Sequence, residues 1–386
     1  MTLSAEQMMA EACNDTGIGS FLNQDFLPAL QALVDSLNTE AGLNALGHQL
    51  QQERLTDLLK TRLKLEAFEE KYPEIREEVV GPPVVILSLP RTGTTMLQRL
   101  LATDNRFQSP LWYEVRFPVP DINWDFQTAT DSRIPAAKAE VAALLKANPD
   151  LLSIHPLDAM APDEDLLLLE ATFLSSVPGS QANIPAYNRH YENDDAMVAT
   201  QYQKRLLQFL QWQRRKCGEP IDDRPWLLKS PAHMYTVAAI RRVYPGARFI
   251  SSHRNPLACI PSISSFYYNQ WVVYADQVDP EACGQVTTTF FSAGVERAYR
   301  ASLEDPDSFL DFEYEDLINH QDQVIEQIYN FLDWEITDEC RWGIEAYREA
   351  NPRNKRKPHD YSLEQFGLSR ESVQRDFANY VKRRGY

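Results

Sequence analysis

The sequence has few cysteines and no long apolar run, and these absences exclude several classes of protein. Its five cysteines are scattered through 386 residues without a Cys-x-x-Cys pair. That pattern argues against a zinc site or a disulfide framework and favours a reducing compartment. No stretch approaches the roughly 20 apolar residues of a membrane-spanning helix, and residues 1–30 lack a basic start followed by an apolar run. We therefore expect a cytoplasmic protein without a membrane span.

Positive charge is scarce as well. The chain has 38 Lys and Arg against 55 Asp and Glu, which gives a net charge of −17. Such an acidic chain is not expected to be a general nucleic-acid binder, and solubility explains most of the acidity. An anionic ligand would need local basic groups, and Arg91, Lys229 and Arg254 stand where they could supply them.

Residues 84–101 predict a buried strand, a tight loop and the start of a helix. Residues 84–89 form a short apolar run rich in β-branched residues, bounded by prolines. Met96, Leu97, Leu100 and Leu101 then recur at helical spacing. Free N–H groups at a helix start attract anions, and the Arg, Gly and Thr side chains of residues 91–95 suit phosphate or sulfate. The Walker pattern GxxxxGK[ST] is absent, and an ordinary strand–turn–helix junction with Thr caps remains the alternative.

The run Pro-Arg-Thr-Gly-Thr-Thr at residues 90–95 resembles the 5′-phosphosulfate loop of sulfotransferases that use 3′-phosphoadenosine-5′-phosphosulfate (PAPS). Cytosolic members usually have Lys where this chain has Arg91, and the Arg version is similar to the bacterial-type branch. The resemblance implies a donor-binding set that lies in one loop: Arg91, Thr92, Gly93, Thr94, Thr95 and Met96.

A second motif follows another predicted strand, at residues 247–256. Here Arg254-Asn-Pro, with Ser262 eight positions after the Arg, resembles the 3′-phosphate motif of the same family. An Arg at a strand end and a Ser one or two helical turns later can converge on one phosphate. Two motifs in the expected order make the resemblance more specific than either alone.

A third stretch, residues 224–233, predicts a short strand that ends at Lys229 and a helix that starts at Ser230-Pro231. His233 falls in the first turn of that helix. The unit then continues through a helix and a strand to Arg254, so Lys229 and Arg254 are expected at the same edge of a parallel sheet.

The fold class expected from these elements and from the resemblance is α/β. It is a P-loop-like three-layer fold with a central parallel sheet flanked by helices and a helical N-terminal extension. Residues 1–80 are predicted to form a helical subdomain, and residues 81–386 the sulfotransferase domain, with a helical acceptor-side insertion at 121–222. Residues 109–120 are predicted to be a loop or a short strand near the acceptor.

The resemblance implies in-line transfer of a sulfuryl group from PAPS to a hydroxyl or amine, without a metal. We assign Lys229 to the bridging oxygen of the leaving group and His233 to the general base, because imidazole titrates near neutral pH. Glu114 and Glu164 are alternative bases. Glu114 could instead be a surface residue, and the acidic run 163–165 could instead cap a helix that starts at Leu166. A basic segment at 353–357 could cover the donor or be solvated.

A small-molecule or lipid-like acceptor is the expected partner, and homodimer formation is left open. Two rival functions remain at this point: a P-loop-like nucleotide kinase and a non-catalytic binder of adenosine bisphosphate. The missing Gly-Lys-Ser/Thr and the lack of an evident Mg²⁺-binding pair argue against the kinase.

Calorimetry with adenosine 3′,5′-bisphosphate separates these functions. We expect micromolar binding that Arg254→Ala weakens by about tenfold or more, because a charge-assisted contact to the 3′-phosphate is lost. ATP serves as the control ligand and should bind much more weakly. Absence of bisphosphate binding, or a preference for ATP with Mg²⁺, would contradict the sulfotransferase hypothesis.

Overall fold

The computed structural model describes residues 2–127, 130–147, 157–219, 224–352 and 362–386. Four strands form one parallel sheet in the order β2-β1-β3-β4. The strands are β1 (Val84–Ile86), β2 (Leu227–Lys229), β3 (Arg248–His253) and β4 (Phe309–Glu313). The predicted parallel sheet flanked by helices is therefore confirmed.

Helices of the first half of the chain precede the sheet or fill the long connection from β1 to β2. They are α1 (Ala5–Thr16), α2 (Leu27–Thr39), α3 (Ala45–Lys71), α4 (Thr94–Leu101), α5 (Trp112–Arg116), α6 (Arg133–Ala147), α7 (Leu166–Leu169), α8 (Val177–Gln181), α9 (Pro185–Asn193) and α10 (Met197–Lys216). Short 3₁₀ turns cover Pro73–Glu77 and Glu170–Thr172.

Helices of the second half connect the remaining strands and pack against them. They are α11 (Val237–Val243), α12 (Pro256–Tyr274), α13 (Pro280–Glu304), α14 (Tyr314–Asn319), α15 (Gln321–Phe331), α16 (Asp338–Ala350), α17 (Arg370–Asp376) and α18 (Ala378–Arg384). Short 3₁₀ turns cover Pro231–Tyr235, Pro306–Ser308 and Glu364–Phe366.

The two faces of the sheet are buried in different hydrophobic clusters, which is the reason for the three layers. Val85, Leu228 and Phe249 point into the cluster that also contains the apolar faces of α2 and α3. Val84 and Ile250 point to the opposite face, where residues of α15 and α16 cover them. Strands covered on both sides read as continuous apolar runs, which is why residues 84–89 were recognisable in the sequence.

The sequence predicted the helix starts that follow β1 and β2, and it misjudged one segment. Ser230 caps the following turn, although that turn is a 3₁₀ helix rather than an α-helix. The prediction of a loop or strand within residues 109–120 is wrong, because Trp112–Arg116 form a helix. Its buried Trp112 and Tyr113 pack on α6 in a separate cluster, and this tertiary burial outweighs the local preference.

The helices before β1 pack onto the rest of the chain through a buried arginine. Arg62 has no exposed side-chain surface, and its guanidinium lies 4.3 Å from the ring of Phe26 and 4.4 Å from that of Tyr202. It donates to Asp25 at 2.6 Å and to the carbonyl of Ala171 at 3.0 Å. The same hydrophobic cluster contains residues from both sides of the proposed boundary at residue 80. The division into 1–80 and 81–386 stays a prediction.

No helix among residues 2–127, 130–147, 157–219, 224–352 and 362–386 is long and apolar enough to cross a bilayer.

Removing the Arg62 side chain tests how firmly α3 belongs to the core. Arg62→Ala should lower the free energy of unfolding by about 3 kcal/mol, because it empties a buried volume between two aromatic rings and removes the cation paired with Asp25. Urea denaturation measures this change. Arg76→Ala is the matched control, since Arg76 is 58% exposed and its partner Glu69 also pairs with Arg205; it should cost under about 1 kcal/mol. A loss below that limit for Arg62→Ala, or a separate early transition in the wild type, would indicate that the first helices fold independently.

Candidate active site

The chain turns sharply between β1 and α4, and this turn forms the predicted anion loop. Arg91 has a φ of 72° and Gly93 a φ of 79°, so two residues of the loop adopt the left-handed conformation. For Arg91 this conformation is rare and strained, and such strain is concentrated at functional sites. Thr92 is fully buried and donates to the carbonyl of Leu89 at 2.7 Å, so its hydroxyl stabilises the turn. α4 begins at Thr94, and its first N–H groups lie at the loop.

Gly93 is required for packing as well as for its backbone angle. A Cβ atom at this position would lie 3.0 Å from Leu317 Cδ2 and 3.3 Å from Tyr314 Cε2. Both residues belong to α14, and no short sequence pattern connects them with the loop.

Lys229 ends β2 directly beside this loop. Its backbone is paired with Ile86, the last residue of β1, and its side chain is 1% exposed. The ammonium Nζ lies 3.2 Å from Thr95 Oγ1 and 2.6 Å from Glu164 Oε1. The structure thus brings together Lys229, Thr95 and Glu164, three residues that the sequence analysis selected from separate segments.

Asp165 supports the backbone at the end of β2, beside the loop. It is completely buried, and one carboxylate oxygen accepts the backbone N–H of Lys229 at 2.8 Å. The carboxylate also accepts from Gln203 Nε2 at 2.5 Å and lies 2.9 Å from His233 Nε2. The sequence suggested a helix-capping role for the acidic run before α7, but the Asp165 side chain makes no cap hydrogen bond. Its partners lie in β2, α10 and the turn after β2, which no local pattern reveals.

His233 has both ring nitrogens engaged inside the protein. It is 1% exposed, with Nε2 against Asp165 and Nδ1 3.1 Å from the hydroxyl of Thr236. A general base needs a ring nitrogen within reach of the acceptor. This environment favours Glu164, whose side chain is 24% exposed, over His233 as the residue that meets an acceptor.

Arg254 approaches the loop from the end of β3. Its Nη1 donates to the carbonyl of Arg91 at 2.9 Å, and its guanidinium lies 4.3 Å from the centre of the Tyr314 ring. These contacts orient the guanidinium plane through a hydrogen bond and a cation–π interaction. The two motifs that lie far apart in the sequence therefore meet at one loop.

Ser262 on α12 supplies an unpaired hydroxyl in the same region of the fold. Its Oγ is buried and has no hydrogen-bond partner among the residues that the structure describes. A buried polar group without a partner is costly, so such groups are commonly satisfied by a ligand or water. Other buried side-chain atoms in the described part of the chain, such as the Thr56 hydroxyl, are unpaired as well, so this feature agrees with a bound phosphate without singling one out. Burial raises the pKa of the neighbouring Cys259 to about 12, opposed by Arg254 and Arg91, so the thiol stays protonated.

Two other predicted site residues, Glu114 and Met96, have side chains engaged in contacts inside the protein. Glu114 is 1% exposed and is neither a surface residue nor free to face an acceptor, because Arg214 pairs with it at 2.5 Å and the N–H of Leu111 donates to it at 2.8 Å. Its role as an alternative base stays a prediction, and these contacts give that role no support. Met96 packs its side chain against the cluster between β1 and α15, so only its backbone N–H could contact a donor at the loop.

The predicted basic segment at 353–357 lies outside the described residues. Within the described ranges, no group of three or more His, Cys, Asp or Glu converges as a metal site. The geometry as a whole provides a helix start, a lysine and two arginines around one loop, which suits a compact polyanion.

The chain belongs to the sulfotransferase family, since a sequence model of that family matches residues 82–338. The relatives it resembles include ω-hydroxy-β-dihydromenaquinone-9 sulfotransferase Stf3 from Mycobacterium bovis and from Mycobacterium tuberculosis. Each is 26% identical over 268 residues, which cover 66% of this chain and 63% of the relative. The aligned part therefore spans less than two thirds of the length of these relatives.

Two crystal structures resemble the fold over nearly its whole length. The sulfotransferase STF9 from Mycobacterium avium has a TM-score of 0.86 at 25% identity, covering 98% of this chain and 96% of its own. The sulfotransferase STF1 from Mycobacterium tuberculosis has a TM-score of 0.84 at 24% identity, covering 98% and 99%. The second likeness establishes the fold alone, and both agree with the α/β architecture described above.

Proposed function

We propose that this sulfotransferase takes a sulfuryl group from PAPS and transfers it to a hydroxyl or amine of a small-molecule or lipid-like acceptor. The observation that carries the proposal is the meeting of two motifs at one loop. Arg254 donates to the carbonyl of Arg91, and Lys229 lies 3.2 Å from Thr95. A donor with a phosphosulfate at one end and a phosphate at the other needs this pairing of two separate anion sites.

The loop and the start of α4 suit the 5′-phosphosulfate, and Arg254 with Ser262 suits the 3′-phosphate. Backbone N–H groups and the hydroxyls of Thr94 and Thr95 would donate to the phosphosulfate oxygens. The unpaired hydroxyl of Ser262 supports a phosphate on the α12 side. In this assignment the contribution of Thr92 is the turn itself, because its hydroxyl already bonds Leu89.

The reaction is an in-line displacement at sulfur. The acceptor oxygen or nitrogen forms a bond to sulfur while the bond to the bridging phosphate oxygen breaks, and adenosine 3′,5′-bisphosphate leaves. Charge grows on the bridging oxygen, and the buried ammonium of Lys229 is the group that would stabilise it. The proton of the acceptor passes to a general base, so atoms and charge balance.

Glu164 is the base that the geometry supports best. Its carboxylate is partly exposed and contacts Lys229 Nζ, the group assigned to the leaving oxygen. An in-line reaction needs attacking and leaving groups on opposite sides of one sulfur, so Glu164 must part from Lys229 and reach the attacking side when the bridging oxygen of the donor takes its place at the ammonium. His233 then acts indirectly, since it shares Asp165 with the backbone of Lys229.

The chemical class of the acceptor is proposed from the name of a relative and from the carboxylate of Glu164. The name of the relative Stf3 describes an acceptor that carries a hydroxyl on a menaquinone. A carboxylate base is suited to a hydroxyl, whose proton is lost as the new bond forms. We therefore favour a hydroxyl on an apolar carrier for this chain.

A transfer assay with sulfur-labelled PAPS tests the function. Labelled product should form with apolar alcohols, and adenosine 3′,5′-bisphosphate should appear in equal amount, because one sulfuryl group leaves each donor. Matched amines and a reaction without acceptor are the controls. Donor binding without transfer to any acceptor would favour the non-catalytic binder, and phosphoryl transfer from ATP would favour the kinase.

Replacing the carboxylate tests the base. Glu164→Gln should lower kcat by roughly 100-fold or more, because the amide cannot accept the proton, while donor affinity should not fall, because Lys229 keeps its charge. His233→Gln is the comparison, and it should lower the melting temperature together with activity, since His233 lies in a buried network. Steady-state kinetics and thermal melting measure both. The base would instead be His233 if Glu164→Gln lowered kcat less than tenfold while His233→Gln lowered kcat 100-fold without lowering the melting temperature.

A further inference from the structure

Helix α18 contacts the strand end that carries Arg254. Tyr380 of this helix is 3% exposed. Its hydroxyl accepts the backbone N–H of Arg254 at 3.3 Å and lies 3.4 Å from the Arg254 carbonyl oxygen. The same hydroxyl is 3.1 Å from Nδ1 of His253, the last residue of β3.

Arg254 needs such a partner because it lies between two regular elements. The pairing of β3 with β4 ends at His253 and Glu313, so the sheet provides no ladder bond to the next residue. α12 begins at Pro256 with Asn255 as its cap. A buried backbone N–H without a partner is costly, and the hydroxyl of Tyr380 fills this gap in the hydrogen bonding of the chain.

The hydroxyl is itself held in place by a chain of polar groups. His253 Nε2 lies 3.2 Å from Asp311 Oδ1, and Arg384 bonds Asp311 at 2.6 Å and also contacts the imidazole of His253. Burial raises the pKa of Tyr380 and lowers that of His253. The phenol therefore stays protonated, and its proton can go to the carbonyl of Arg254 or to Nδ1 of His253.

We propose that Tyr380 is a positioning residue for the 3′-phosphate subsite, acting through the backbone of Arg254. The inference rests on the proposed function, because it assumes that Arg254 meets the 3′-phosphate of the donor. The carbonyl of Arg91 and the ring of Tyr314 orient the guanidinium group of Arg254. Tyr380 fixes the other end of the same residue, which sets where the guanidinium can reach.

The test compares two nucleotides that differ only in the 3′-phosphate. Dissociation constants for adenosine 3′,5′-bisphosphate and for adenosine 5′-monophosphate are measured by calorimetry with the full chain. The discrimination is the ratio of the two constants, and it is insensitive to the fraction of protein that is unfolded. Tyr380→Phe removes the hydroxyl and keeps the ring. It should reduce the discrimination about fivefold, the effect of one lost hydrogen bond.

Tyr187→Phe is the matched control. The buried Tyr187 hydroxyl also bonds backbone groups, but they belong to Phe173 and Ser175 rather than to Arg254. This variant should leave the discrimination unchanged. Arg254→Ala is the positive reference and should abolish most of it.

The outcomes separate the inference from the function on which it depends. If the wild type does not favour the bisphosphate over the monophosphate, the donor assignment is wrong and the inference with it. If Arg254→Ala loses the discrimination but Tyr380→Phe keeps it, the donor site stands and the positioning role is refuted. Equal weakening of both nucleotides by Tyr380→Phe would mean that the residue only supports the fold, which also refutes the proposal.

Discussion

The central place of β1 in the sheet is the constraint on which the site depends. β1 pairs in parallel with β2 on one side and β3 on the other, so the ends of all three strands lie at one edge. The chain that leaves β1 must turn between the lysine that ends β2 and the arginine that follows β3. Arg91 and Gly93, the left-handed residues on either side of Thr92, make that turn and direct the start of α4 to the same edge. The anion loop is thus a consequence of strand order, and its side chains refine it.

Gathering cations around one loop raises their electrostatic free energy, and the fold compensates each of them differently. Two unit charges about 4 Å apart interact by roughly 4 kcal/mol at the effective dielectric constant of protein surfaces. Lys229 is balanced by Glu164, which is a full opposite charge. Arg254 is balanced by a carbonyl dipole and an aromatic face. The arginine therefore keeps more of its positive potential, whereas the lysine shares its charge with a carboxylate.

The sequence predicted those parts of the site that depend on near neighbours. The strand, loop and helix around Gly93, the cap at Ser230 and the arrival of Lys229 and Arg254 at one edge follow from short patterns and from the parallel sheet. The supporting contacts were not predictable in this way. Asp165 bonds Lys229 and His233 across more than 60 positions, and Glu114 pairs with Arg214 100 positions away. Such partners are selected by tertiary packing, and a buried carboxylate looks like any other acidic residue in the sequence.

The acidity of the whole chain explains why those supporting contacts matter. At a net charge of −17 the protein as a whole repels an anionic donor. The Debye length is about 8 Å at physiological ionic strength, so distant surface carboxylates are screened while a buried lysine is screened much less. Affinity must then come from short contacts inside the site rather than from long-range attraction. Short contacts depend on orientation, and orientation is supplied by neutral hydrogen bonds and buried carboxylates such as that of Asp165, which hold the backbone from which each cation projects.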